Sequence, residues 1–282
     1  MILQGQLLSE TELKQELQAF LNDNNAWHQA NHNKVIQSML EHIGSVDSEL
    51  RDGLIYGTFY TLILQKNLLD STILSNMLDY CLTNLLCKGI GENPTDSVFT
   101  RTFTSLLIAL ILTRDNEDDF LEAYKIEELT NKVMAYLETE KDVRGYVPGK
   151  GWAHSVAHVS DLVDELVQNA KFNKASYIAI LRPLWNMMLQ IDYAFIHDED
   201  ERLLVPLFTM LERGLPQQEV ITLLNETMAT MSAQKEQLDV QHYRILRFNW
   251  KTLLKSFYIQ TADRPQYKAL HQSIKDCLKV DK

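Results

Sequence analysis

His154 and His158 stand four residues apart in "RGYVPGKGWAHSVAHVSDLVDEL", residues 144–166, and Asp161 follows three further on. Two imidazoles at i and i+4 of a helix can hold one divalent ion, and a carboxylate adds a ligand. With His154 set at zero on a helical wheel, His158 falls at about 40°, Asp161 at about −20° and Glu165 at about 20°. Trp152, Val156, Val159, Val163 and Leu166 fall on the opposite side. The polar stripe therefore faces water or a groove against a neighbouring helix, while the apolar stripe faces a core. A metal, a bound ligand and plain solvation all fit that stripe. The pattern is not HExxH, because serine follows the first histidine, so no protease assignment follows.

Ahead of the histidines runs "RGYVPGKG". Its glycines permit positive φ and close backbone approach. A helix N-terminus with free amides attracts anions, and Arg144 and Lys150 would add charge. The order Gly145, Gly149, Lys150, Gly151 is one residue short of a phosphate-binding loop, and no Ser or Thr follows the lysine. A rigid helix-to-helix turn bent at Pro148–Gly149 fits equally well. Tyr146 and Trp152 either wall a pocket or anchor that turn.

A third candidate is "HDEDERLLVPLF", residues 197–208. Asp198 and Glu201 form a capping-box pattern, and Leu203, Leu204, Leu207 and Phe208 make a buried face. That account leaves His197 and Arg202 free to complete a site begun by the histidine helix. Two arginines lie near acids, Arg51 beside Asp52 and Arg101 after Asp96. Structural ion pairs explain them better than catalysis, with Asp96 as a helix cap. Neither a GxSxG motif nor a cysteine beside a histidine-rich segment is present.

The elements that must position these residues read as helices almost throughout. Only 10 glycines and 6 prolines punctuate 282 residues, and they fall mostly between segments of helical period. One helix opens at "SETE", where Ser9 and Glu12 fit a capping box. Others are expected at about 27–43, 48–66, 71–88, 95–114, 117–139, 151–170, 174–191, 198–213, 216–231, 236–261 and 264–279. Pro183 and Pro206 kink two of these or shift their ends. No strand is expected.

A net charge of −11 argues against nucleic acid as a partner. Apolar runs such as "SLLIALIL" fall short of a ~20-residue membrane span. The N-terminus lacks the pattern of a signal peptide, and three cysteines without a CxxC suit reduced, buried thiols. A cytoplasmic location is the expectation.

"ELRDGLIY", "DSVFTRTFTSLLIALIL", "RGYVPGKGWAHSVAH" and "HDEDERL" together resemble a bacterial family known as domain of unknown function 2785. The resemblance covers roughly residues 45–210. The chain departs from the family pattern at Ser160, where alanine is usual, and at Asp198, where glutamate is usual. The resemblance implies an all-helical cytoplasmic protein, chiefly of Gram-positive bacteria, with no established activity. It also implies that the loop, the histidine helix and the acidic run belong to one site.

The expected protein is thus an all-α, HEAT-like array of antiparallel helix pairs, an α-solenoid of about twelve helices, with residues 1–282 as one domain. Its polar groove is lined by Arg144, Tyr146, Lys150, Trp152, His154, His158, Asp161, Glu199 and Arg202. Recognition of a small anionic ligand or peptide is the first functional expectation. A protein-interaction scaffold without a small-molecule site is the second. The third is a metal-dependent hydrolase, with a divalent metal on His154, His158 and Asp161 and with Glu199 or Asp200 as general base. That last reading needs His197, or a carboxylate from another helix, as a further ligand.

Overall fold

Local signals fix most helix starts. Glu12 accepts a hydrogen bond from the Ser9 amide at 2.8 Å and Ser9 Oγ faces the Glu12 amide at 3.4 Å, so the capping box opens α1, Glu10–Asn22. Asn31 caps α2, His32–Glu41, through the Lys34 amide. Asp70 caps α4, which runs through Ser71–Tyr80 and Cys81–Leu85. Between them lies α3, one continuous helix of three segments, Glu49–Tyr56, Gly57–Tyr60 and Thr61–Gln65. Its first and last segments are wound as π-helix, as is the end of α4.

The computed structural model describes residues 7–22, 27 and 30–280. The expected helix at 27–43 lies partly outside them. Next along the chain come α5, Ser97–Asp118, and α6, Ala123–Thr139. A short antiparallel ribbon follows, β1 Tyr146–Val147 and β2 Gly151–Trp152. The remaining helices are α7 Ser155–Gln168, α8 Tyr177–Asn186, α9 Glu199–Glu212, α10 Gln217–Gln237, α11 Val240–Thr261 and α12 Lys268–Val280. Twelve helices and one two-residue ribbon among the described residues make the protein all-α. The ribbon corrects the expectation of no strand.

Helices pack chiefly against the next but one. α7 lies against both α5 and α9, α9 touches α11, α6 touches α8, and α10 touches α12. One continuous apolar core reaches from Leu13 in α1 to Cys277 in α12. α5 runs through its middle and is long and apolar enough to cross a membrane, contrary to the reading of its apolar run as too short. Other helices cover it, with 83% of its most apolar window buried. Its one buried arginine, Arg101, makes a two-pronged pair with Glu140, at 2.6 and 2.8 Å. Asp96, the expected cap, makes no capping bond and binds Lys150 instead.

Candidate metal centre

The glycine-rich loop folds as a hairpin. The Lys150 amide donates to the Val147 carbonyl at 3.0 Å, with Pro148 at the second position and Gly149 at φ +77°, the arrangement of a type II turn. Gly151 also takes a positive φ, +79°, and a Cβ there would lie 2.7 Å from Ser48 Cβ. No side chain fits, because the ribbon rests on the start of α3. Val147 and Ala153 pack on Val98 and Phe99 at the head of α5. Arg51 pins the ribbon from beneath, donating to the carbonyls of Lys150 and Trp152 at 2.7 and 3.2 Å. Its guanidinium lies over Phe99 and Phe103, and burial lowers its pKa to about 10. Asp52 makes no ion pair with it, so the expected Arg51–Asp52 bridge is replaced by carbonyls and aromatic faces.

The ladder continues past the ribbon, from Ala153 N–H to Gly145 O and from His154 N–H to Arg144 O. His154 then turns the chain with φ +51° and sits just ahead of α7. A second such joint precedes α9. There Asp198 has φ +64°, and its side chain makes no capping bond, in place of the expected capping box. Two of the four non-glycine residues with positive φ among those described thus flank this spot. Such backbone costs about 1–3 kcal/mol per residue and collects at functional sites.

The two joints bring three side chains together. His154 Nε2 lies 3.9 Å from Glu199 Oε1, and His197 Nδ1 lies 3.8 Å from the same oxygen. One ligand atom from each of the three residues falls within 4.8 Å of the others. All three atoms are buried, and none has a hydrogen-bond partner. The other Glu199 oxygen accepts from the His197 amide at 2.8 Å, which turns Oε1 toward the imidazoles. Burial, then the neighbouring His197 and Arg202, lowers the His154 pKa to about 4, so that imidazole is neutral at pH 7. Burial raises the Glu199 pKa, and the His197 amide opposes it. Neutral imidazole and carboxylate are the donors that zinc-type ions take, at ~2.0–2.2 Å. Closing the present spacing to those lengths needs imidazole shifts of roughly half an ångström. The Trp152 ring walls the cluster, 4.3 Å from the His154 ring and 4.8 Å from the His197 ring.

The other sequence candidates are placed differently. His158 is buried, its ring edge-on to Phe103 at 5.3 Å and 5.8 Å from the His154 ring, outside the three-atom cluster. Asp161 pairs with Arg202 across to α9. The expected set of His154, His158 and Asp161 is therefore not the group assembled here. His154 precedes the helix instead of belonging to it, so the wheel that aligned the three does not apply. Arg144 is held by Asp142 and the Thr95 carbonyl, and Lys150 by both oxygens of Asp96 at 2.7 Å. Both cations are thus answered by carboxylates. Tyr146 is exposed and edge-on to Trp152. Asp200, a candidate base, accepts from Ser256 on α11. Sequence reasoning missed Tyr193, whose hydroxyl accepts from the Gly145 amide at 2.9 Å. No local motif marks it, since it reaches the cluster only through the α8–α9 loop.

An all-α protein with a His/His/Glu cluster, its facing donor atoms buried, at the joints of two helices is the class these features define. The family model described as protein of unknown function DUF2785 matches residues 86–259, and the chain belongs to that family. The match includes α5 to α10, most of α11 and all three clustered residues, but leaves "ELRDGLIY" outside. No curated protein and no solved structure matches the chain.

Proposed function

We propose that this protein holds a divalent, zinc-type ion on His154 Nε2, His197 Nδ1 and Glu199 Oε1. The observation that carries the reading is the convergence of three buried donor atoms, none with a protein partner. Leaving three such atoms unpaired costs ~1–3 kcal/mol each, and one ion satisfies all of them. Two histidines and one glutamate leave a coordination position open, the composition of hydrolytic rather than closed structural centres. The reaction class this reading supports is metal-dependent hydrolysis, with Glu199 as ligand rather than base. Recognition of an anion by Arg144 and Lys150 has less support, because each already has a carboxylate partner.

The framework we propose is a HEAT-like array of helix pairs. Its support is the packing of α5, α7, α9 and α11 in succession, with α6 on α8 and α10 on α12. In such an array the ion would tie the head of α7 to the head of α9, two neighbours in one row. Added zinc then raises the thermal midpoint of metal-stripped protein, because the unfolded chain has no formed site. At a hundredfold excess over Kd the gain is about 2.7 kcal/mol, a shift of several degrees. Glu199→Gln is expected to show a much smaller shift. An equal shift in that variant, followed by calorimetry, contradicts the reading.

A further inference from the structure

The two joints that carry the metal donors meet at one backbone position, Gly145. A methyl there would stand 2.6 Å from His197 Nδ1, 3.0 Å from Tyr193 Oη and 3.1 Å from Glu199 Oε1. Carbon packs at roughly 3.5–4.0 Å, so the imidazole and the carboxylate already fill the space that a side chain would need. The atoms in the way are side-chain ends, which would move before the backbone did. Gly145 has no positive φ, so its lack of a side chain answers this crowding and not a left-handed turn.

Tyr193 ties the two joints across that meeting point. Its hydroxyl oxygen accepts from the Gly145 amide at 2.9 Å. The Gly145 and Arg144 carbonyls in turn accept from the Ala153 and His154 amides, at 2.8 and 3.0 Å. These bonds lead from Tyr193 to the joint of His154, and the segment that carries Tyr193 also delivers His197. That segment is held from α11. Asn249, fully buried, donates to the carbonyls of Tyr193 and Gln190 at 2.9 and 3.2 Å and accepts from the Phe195 amide at 2.9 Å. Phe195 is buried too, its ring edge-on to that of Tyr193. One braced stretch of chain therefore carries one imidazole and anchors the backbone that leads to the other.

We infer that Gly145 and Tyr193 are positioning residues of the metal centre, which together set the spacing of His154, His197 and Glu199 and so the affinity for the ion. Gly145 acts by leaving the His197 ring and the Glu199 carboxylate their place. Tyr193 acts by locking the two joints at one separation. Asn249 acts one step further out, through the backbone on either side of Tyr193. This rests on the metal reading above and adds to it the residues that tune the site.

Zinc is titrated by calorimetry into the metal-stripped full chain, beside Gly145→Ala and Tyr193→Phe, and the thermal midpoints of the stripped proteins are measured alongside. Loss of a group that orients a metal's ligands typically weakens binding by roughly 10–100-fold. Each variant is expected to keep the native circular dichroism without metal and to bind zinc at least about tenfold more weakly. A merely structural role gives the opposite split, a lowered midpoint of the stripped protein with zinc affinity intact. Native zinc affinity in either variant overturns the inference and leaves the metal reading standing. Should Gly145→Ala lose its native circular dichroism, Tyr193→Phe alone decides. Absence of zinc binding by the unmutated protein overturns both.

Discussion

Two buried arginines in this fold meet their need for partners by different chemistry. Arg51 relies on backbone carbonyls and the faces of Phe99 and Phe103. Arg101 relies on Glu140, and both side chains of that pair are 0% exposed. Burial alone would lower the Arg101 pKa, but Glu140 outweighs it and the net direction is upward. Removing one partner of a buried pair leaves the other charge without compensation, at a cost of about 3–5 kcal/mol. Arg101→Met is therefore expected to lower stability by about that amount, and the double variant Arg101→Met/Glu140→Leu by clearly less. Urea unfolding measures both, and equal losses would refute the pairing argument. The sequence announced that Arg101 needed a partner. It could not announce Glu140, which is 39 residues away and meets Arg101 only after α6 folds back.

At the scale of elements, α7 shows why a helical wheel misleads when a helix is covered on two sides. The stripe read as facing water or a groove is divided between two neighbours. Glu165 accepts from Asn116 on α5, while Asp161 and Asp164 engage Arg202 and Thr209 on α9. Burial raises the pKa of all three carboxyls despite these bonds. An acid raised in the folded state binds its proton more tightly there than in the unfolded chain. Its contribution to stability is then present below the ordinary carboxylate pKa of ~3.9 and is lost as pH rises through the folded value. Asp164→Asn removes one such contribution. Relative to the unmutated protein, its urea midpoint is expected to improve between about pH 4 and pH 7. A pH-independent difference would contradict the direction assigned to Asp164. Helix number and most helix spans were legible because period and caps are local. The start of α7 was not, since the ribbon of Tyr146–Trp152 depends on Arg51 and Ser48, about a hundred residues earlier. With that start misread, His154 was given to the helix and grouped with His158 and Asp161 instead of the His197 and Glu199 side chains it faces.

Across the whole molecule, the candidate centre joins stretches that are distant in sequence and adjacent only because α7 and α9 pack together. His154 was visible as a candidate, and His197 and the acidic run were visible as possible completions. Their convergence needed the fold, with positive φ at His154 and Asp198 at the two joints that bring the side chains together. Tyr193 and Asn249 add a brace from α11, so several successive elements of the proposed array contribute to one point. The central claim is that this point holds a metal ion. Elemental mass spectrometry of untagged protein purified without chelator tests it most directly, beside His197→Ala and His158→Ala. The account predicts about one zinc-type ion per chain in the unmutated protein and in His158→Ala, and none in His197→Ala. No metal after dialysis against zinc and manganese, or metal lost with His158 but kept without His197, would contradict it.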